Sequence, residues 1–234
     1  LTKVKEIVGS STAVIVGVVP TTLGLIAPPR EWGADIVVGE GQPIGAKMAL
    51  GGPLYGIWAC SKAYLRQMPG RIVARTEDSD GNQAFCLTLS TREQHIRRHR
   101  ATSNICTNET LIALMGSMTM ALLGPSGLKK LSERWYGASQ RARSILSEIA
   151  SLEWPHGNSS QFHEFVIKIP GSSADFLKHM LDNNVIAGHD ISSWKGADEG
   201  WILVSCNDQT KFSDIQALSL GLKEWCDIGG LHHE

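Results

Sequence analysis

Two short runs of β-branched residues near the start of the chain constrain its fold most strongly. Residues 13–19 (AVIVGVV) and residues 34–38 (ADIVV) are almost wholly apolar, which is typical of strands buried on two faces in a mostly parallel sheet. Between them, Pro28 and Pro29 exclude a continuous helix. We therefore predict an α/β architecture for the first part of the chain.

The pattern changes at residues 153–161 (EWPHGNSSQ), which we interpret as a domain boundary. Before it we predict a strand at 55–59, a short helix ending before Pro69, a hairpin turning at Asp80 and Gly81, a helix at 108–123 and a longer helix at 128–152. After it we predict strands at 162–169, 185–191 and 201–206, and helices at 173–182 and 211–226. The predicted domains are residues 1–153, an α/β domain with its long linking helix, and residues 154–234, a small α+β domain.

Composition excludes several functional classes. The net charge is −1, which argues against a general nucleic-acid or anionic-membrane binder. The five cysteines form no CxxC pair, so a zinc knuckle is disfavoured, and reduced thiols in a cytosolic protein are expected. No uninterrupted apolar run reaches the roughly 18 residues of a membrane span. The chain starts at Leu1 and enters a strand pattern within twenty residues, so we expect it to be part of a longer protein.

Two motifs with possible chemistry have structural interpretations that we prefer. GEGQPIG, residues 39–45, has the spacing GxGxxxG, and Pro43 stands where the helix of a dinucleotide site should begin. Glycines that permit a tight turn or a close backbone approach are the favoured interpretation. His156, His163, His179 and His189 have no metal-ligand spacing, and His189 with Asp190 lacks an accompanying nucleophile motif. We expect no metal site and no catalytic residue among them.

The basic stretch of residues 92–100 is the most unusual segment of this nearly neutral chain. It contains Arg92, Arg97, Arg98 and Arg100, with Glu93 as its only acidic residue. Three functions are possible: an exposed charged helix, a site for an anion or a protein interface, and an RNA-binding surface. Aromatic stacking partners are missing between Thr91 and Glu109, which disfavours RNA.

Three longer blocks carry a specific resemblance. MPGRIV (68–73), TREQHIRR (91–98) and ATSNICTN (101–108) are long, uninterrupted and unusual in composition. With the sequence around them, they resemble the P-protein of the glycine cleavage system, either subunit 1 of the split form or the N-terminal half of the fused form. Over residues 13–149 the resemblance is strong, and over the small domain it is loose.

The resemblance implies a fold, an activity and partners. The fold is that of type I pyridoxal-phosphate transferases: a large domain with a mainly parallel sheet, of which this chain would hold the C-terminal part, then a small α+β domain. The activity is decarboxylation of glycine, with transfer of the aminomethyl group to the lipoyl arm of H-protein. The implied partners are P-protein subunit 2, lipoylated H-protein and glycine, in the cytoplasm, with neither nucleic acid nor membrane.

One departure from the family pattern decides the role that we expect for this chain. In the cofactor-bearing subunit, the glycine-rich stretch holds the lysine that forms the Schiff base with pyridoxal phosphate, and that place falls here on Gln42. An amide cannot form an imine. We therefore expect the cofactor in the partner subunit. A stand-alone enzyme that uses Lys47, five residues away, and a non-enzymatic binding module that uses residues 92–100 remain alternatives.

The resemblance also suggests a use for the basic stretch. In dimers of this fold the active site lies near the subunit interface. The expected contributors to the interface or to the partner's site are Arg97, Arg98, Arg100, Ser103, Asn104 and Thr107.

Overall fold

The computed structural model describes residues 2–89, 94–103, 108–157 and 159–228, which form two compact units, Leu1–Pro125 and Ser126–Glu234. The helices are α1 (Thr2–Val8), α2 (Gln94–Arg97), α3 (Thr110–Leu146), α4 (Ser173–Asp182) and α5 (Phe212–Asp227). The strands are β1 (Ile15–Val18), β2 (Ile36–Glu40), β3 (Gly56–Cys60), β4 (Ile72–Glu77), β5 (Gln83–Thr88), β6 (Glu164–Lys168), β7 (His189–Asp190) and β8 (Trp201–Ser205). Short 3-10 helices occupy Pro20–Gly24, Pro29–Trp32, Lys62–Tyr64 and Arg98–Arg100.

The first unit contains a three-stranded sheet in the order β1-β2-β3. β1 and β2 are parallel, with Ile15 opposite Ile36, and β3 runs antiparallel to β2. The predicted parallel pairing of the first two strands is confirmed. Their expected burial on two faces is wrong for the described part of this chain: no residue of β1 or β2 is fully buried, and the Ile15 side chain is 62% exposed.

Asp35 fixes the entry into β2. Its carboxylate accepts hydrogen bonds from Lys5 Nζ at 2.7 Å and from the Val14 N–H at 2.9 Å. These bonds stabilise the charged form, so the pKa of Asp35 lies below its usual value. The same contacts tie α1 and the residue before β1 to β2, which holds the parallel pair in register.

The remaining strands of the first unit form the predicted hairpin. β4 and β5 pair antiparallel with Glu77 opposite Gln83. The Asp78 carboxylate accepts hydrogen bonds from the N–H groups of Asp80 and Asn82, and Gly81 takes a positive φ of 79°. The turn chemistry of the sequence TEDSDGNQ therefore produces the expected hairpin.

α3 runs through the junction of the two units and is kinked there. Gly124 has φ 58° and ψ −176°, and Pro125 follows it, which interrupts the helical backbone. By length and composition α3 could cross a membrane, with a mean hydropathy of 1.5 over its most apolar window. However, the part before the kink, residues 110–123, is shorter than the roughly 20 residues that a span needs. The part after the kink, residues 126–146, is long enough, but it contains six charged residues: Lys129, Lys130, Glu133, Arg134, Arg141 and Arg143. Neither part therefore combines the length with the composition of a span.

The second unit is a small antiparallel sheet, in the order β6-β8-β7, packed against helices. Its core combines α3 after the kink (Ala138, Ala142, Leu146) with strand residues such as Ile167 and Ile202 and helix residues such as Phe176 and Trp225. The Trp225 indole also donates to the Pro170 carbonyl at 2.9 Å. A folded unit with its own core results.

The units divide earlier than the predicted domains do. The sequence places the boundary at 153/154, whereas the compact units meet at Pro125 and Ser126. The reason is that Ala142 and Leu146 of α3 are buried in the second unit's core. Whether residues 1–153 and 154–234 are the domains of the whole protein stays a prediction.

One predicted strand is much shorter than expected. Residues 185–191 were expected to be extended, but only His189–Asp190 pair as β7. Asn184 has φ 60° and Gly188 has φ 154°, so the backbone departs from strand geometry on both sides of residues 185–187. The other predicted strands are present with shifted ends, and α4 has the predicted bounds. The helix predicted before Pro69 is only a short 3-10 helix, Lys62–Tyr64, and the helices predicted at 108–123 and 128–152 are the two parts of the kinked α3, which ends at Leu146.

Candidate functional site

The chain turns sharply at residues 41–45, immediately after β2. The Gln42 N–H donates to Glu40 Oε1 at 3.0 Å, and the Gln42 carbonyl accepts from the Ala46 N–H at 3.3 Å. Gln42 is half-buried at the carboxyl end of a strand that belongs to a parallel pair. In open α/β sheets this is the edge at which ligands bind.

Tyr55 anchors this turn and is the residue that sequence reasoning overlooked. Its phenol is 7% exposed and donates a hydrogen bond to the Ile44 carbonyl at 2.7 Å. Its own carbonyl accepts from the Gly41 N–H at 2.7 Å. Burial raises the pKa of the Tyr55 phenol, and the negative charge of Glu40 raises it further. The available signal was a lone tyrosine within a glycine-rich segment.

Two glycines provide the space that the Tyr55 ring occupies. A Cβ atom added to Gly41, or to Gly116 in α3, would overlap the phenol. Gly45, with φ 89°, lies equally close to Thr119 of α3. The glycines of the GxGxxxG segment therefore serve a tight turn and close backbone approach, as preferred from the sequence. Residues 42–45 form a turn and not the helix start that a dinucleotide site requires.

Lys47, the alternative lysine, lies in a loop that protrudes from this turn. Lys47 itself is exposed, and nearby Leu50 is fully exposed with a positive φ of 53°. A Schiff-base lysine functions in a site that holds and desolvates its cofactor. The surroundings of Lys47 lack the burial that Gln42 and Tyr55 have.

The basic stretch forms a short surface segment ahead of α3. α2 covers Gln94–Arg97, and a 3-10 turn follows at Arg98–Arg100. Arg97, Arg98 and Arg100 are all exposed, and within the described parts of the chain no carboxylate forms an ion pair with Arg98 or Arg100. Arg98 and Arg100 are therefore accessible to an external anion.

The residues that follow the arginines are only partly described. Ser103 is half-buried, and Asn108 Oδ1 accepts from the Thr110 N–H at 3.2 Å at the start of α3. Asn108 is thus a capping residue at the start of α3. Arg92, Asn104 and Thr107 lie outside the described residues. Of the predicted set, the structure brings Arg97, Arg98, Arg100 and Ser103 into one continuous segment.

The polar residues of the second unit have structural roles. His163 is buried, its ring lies 5.1 Å from that of Trp135, and this burial lowers its pKa. Asp190 accepts hydrogen bonds from the Ser192 hydroxyl at 2.6 Å and the Ser173 hydroxyl at 2.8 Å. Its pKa is lowered mainly by the hydrogen bonds from Ser192 and further by the one from Ser173. Among the residues with described positions, no cluster of histidine, cysteine or carboxylate side chains could hold a metal. Cys60, Cys86, Cys206 and Cys226 are free thiols.

Comparison with known families gives one match along nearly the whole chain. Residues 2–222 match the family model described as glycine cleavage system P-protein. A protein of Dictyoglomus turgidum, named probable glycine dehydrogenase (decarboxylating) subunit 1, is 40% identical over 227 residues, 95% of this chain and 50% of its own length. A protein of the same name from Parvibaculum lavamentivorans is 44% identical over 229 residues, 96% of this chain and 51% of its own length.

Solved structures agree with this match. The crystal structure of a glycine decarboxylase (P-protein) in inhibitor-bound form superposes with a TM-score of 0.86 at 34% identity, covering 94% of this chain and 50% of that one. A NifS-like protein from Rickettsia africae gives a TM-score of 0.64 at 12% identity, with 97% and 56% covered, which shows the fold alone. The fold is that of type I pyridoxal-phosphate-dependent enzymes, as predicted. The chain spans about half the length of the curated relatives that it matches.

Proposed function

Because this chain belongs to the glycine cleavage system P-protein family, we propose that it forms part of the subunit of glycine decarboxylase that carries no cofactor. With P-protein subunit 2, that subunit would decarboxylate glycine and pass the aminomethyl group to the lipoyl arm of H-protein. The relatives' name, subunit 1, supports the existence of a second subunit. Cytoplasmic location is part of the same proposal.

Gln42 is the single observation that supports the division of labour between the subunits. The residues at the carboxyl end of β2 do not fit covalent attachment of pyridoxal phosphate. The Gln42 amide has no nucleophilic amine, and the Tyr55 ring occupies the space beside Gly41. Lys47 lies in an exposed loop. We infer that the cofactor is held by the partner subunit.

The chain's own contribution would then be scaffold and interface. The turn after β2 is held by the hydrogen bond of Tyr55 to Ile44 and by the close packing on α3. The exposed Arg98 and Arg100 would meet carboxylates or phosphate groups of the partner. Asn104 and Thr107 stay predicted members of the same contact.

Borohydride reduction tests the absence of an imine. After incubation with pyridoxal phosphate and reduction, intact-mass measurement of the chain should show no pyridoxyl adduct in stoichiometric yield. A surface lysine that reacts weakly would give a substoichiometric adduct. The Lys47→Ala variant would lose this adduct only if Lys47 is the lysine that reacts. A full adduct that disappears in Lys47→Ala would support the stand-alone enzyme instead.

Subunit mixing tests the activity. The full-length protein alone should release no CO2 from carboxyl-labelled glycine in the presence of lipoylated H-protein and pyridoxal phosphate, and addition of P-protein subunit 2 should restore release. Activity of the protein without subunit 2 would contradict the proposal. Co-purified nucleic acid that is lost steeply with salt would indicate the binding-module alternative.

A further inference from the structure

β8 in the second unit has one complete edge and one incomplete edge. On the first, all five of its residues pair with β6, from Trp201 opposite Lys168 to Ser205 opposite Glu164. On the second, only two pairs form with β7, His189 with Leu203 and Asp190 with Ile202. Among the strands of the described residues, the last part of β8 therefore has a neighbour on one side only.

The backbone groups of Ser205 face this incomplete edge. The Cys206 N–H donates to the His163 carbonyl at 2.8 Å, on the β6 side. In an antiparallel pair, hydrogen-bonded and non-hydrogen-bonded positions alternate, so the N–H and C=O of Ser205 point away from β6. In the described part of the chain, no backbone hydrogen bond joins residues 186–188 to Ser205. An unpaired edge of this kind is a template for another strand.

The reason for the gap is the path of residues 184–188. A Cβ atom on Gly188 would lie 2.7 Å from the Leu203 carbonyl oxygen, so the chain touches β8 there. Before Gly188 the backbone turns away, with Asn184 at φ 60°. The local backbone conformation therefore leaves the edge open beside Ser205.

A cavity of about 720 Å³ lies at this edge. Val204 and Cys206 are buried among the core residues, and strand alternation places Leu203 and Ser205 on the opposite face. All four residues line the cavity, so it lies at the edge of the strand and not on one face. Ile215 and Leu218 of α5 contribute apolar walls, and Glu164 and Asp214 are its acidic residues. Among the described lining residues there is no lysine or arginine.

We propose that this edge groove binds an extended peptide segment of another polypeptide chain that carries a lysine or arginine. The segment adds a strand to β8 through the N–H and C=O of Ser205. Its alternate apolar side chains enter the cavity against Ile215 and Leu218, and its basic side chain lies near Glu164 and Asp214. The backbone contacts provide binding, and the cavity with its acidic residues provides selectivity.

Fluorescence anisotropy tests the proposal with a labelled probe peptide of the sequence Val-Lys-Val-Lys-Val. Ser205→Pro removes the N–H at the open edge without touching a hydrogen bond to β6, and Ser205→Ala retains it. We expect Ser205→Pro to weaken binding by about tenfold and Ser205→Ala by less than about twofold, because only the backbone donor is used. Circular dichroism verifies that both variants are folded.

Two further measurements use altered probes, and the first of them needs no variant of the chain. A probe with N-methyl groups on alternate amides cannot pair as a strand and should not bind the unmodified chain. A probe with glutamate in place of lysine should bind more weakly, and Glu164→Gln should reduce that preference. Three results would overturn the proposal. The methylated probe could bind as tightly as the unmethylated one, Ser205→Ala could weaken binding as much as Ser205→Pro, or the unmethylated probe could fail to bind at millimolar concentration. The proposal would also be overturned if the probe bound the 234-residue chain but not the full-length protein. In that case another segment of the same protein would fill the groove.

Discussion

Tyr55 shows how single residues fix the turn after β2. Its ring lies against Gly41 on the strand side and Gly116 on the helix side, and its hydroxyl bonds to Ile44. Protein interiors are close-packed, so a side chain cannot be added at such a contact without a displacement. The two glycines are therefore required by contact and not by backbone conformation, since neither has a positive φ.

A matched pair of glycine substitutions in α3 tests this packing. Alanine raises helix propensity equally at Gly116 and Gly137, but only at Gly116 does the new Cβ meet Tyr55. We expect Gly116→Ala to lower the free energy of unfolding by about 1–3 kcal/mol relative to Gly137→Ala. Urea denaturation, monitored by fluorescence, measures the free energy of unfolding of each variant. Equal effects of the two substitutions would mean that Tyr55 moves aside without cost.

Cys206 gives the second unit a predictable response to pH. Burial raises the pKa of the Cys206 thiol from 9.0 to about 11, although the positive charge of Arg141 opposes the shift. The folded state thus retains a proton that the unfolded state releases, and stability should fall as the pH rises from about 9 through 11. At pH 9 a thiol reagent should label the exposed Cys86 quickly and Cys206 slowly. Cys206→Ala should reduce the pH dependence of unfolding in this range.

At the scale of elements, α4 is the best test of local sequence signals. It spans Ser173–Asp182, as predicted, and Ser172 Oγ accepts from the Asp175 N–H at 3.2 Å. We expect Ser172→Ala to lower the free energy of unfolding of the second unit by about 1 kcal/mol, because the first turn loses a hydrogen-bond acceptor. Ser172→Asp keeps an acceptor and should behave like the unsubstituted chain. Thermal unfolding of the three proteins decides between capping and a merely exposed serine.

At the scale of the whole molecule, the exposed arginines test assembly with the second subunit. If Arg97, Arg98 and Arg100 are buried against the partner, their replacement by alanine should weaken association by about 3–5 kcal/mol, or at least a hundredfold. Contacts at a solvated rim would cost less than about 1 kcal/mol. Lys178→Ala, Lys195→Ala and Lys223→Ala together remove the same charge from exposed positions of the second unit and serve as the control.

Titration of the full-length variants against subunit 2, with activity measured in parallel, separates the roles. Weakened association in the arginine variant alone supports an interface. Unchanged affinity with lost activity would instead place these side chains at the partner's active site. Unchanged affinity and activity would mean that the segment is an exposed basic surface.

The sequence by itself determined the family and most of the secondary elements. Hydrophobic periodicity, turn residues and caps are local signals, so α4, β8 and the Asp80-Gly81 hairpin were predicted closely. The family followed from MPGRIV, TREQHIRR and ATSNICTN, and the family match confirms it. The absence of a lysine at Gln42 is likewise a property of the sequence alone.

Only the tertiary structure decided which residues meet. Tyr55 and Gly116 are far apart in the chain, so no local pattern could reveal that the glycine makes room for the ring. The short β7 is similar: residues 185–191 have strand composition, yet the backbone at Asn184 and Gly188 leaves the edge of β8 open. Local signals specify what a segment can become, whereas contacts between distant segments, with their steric and hydrogen-bonding requirements, select what it is.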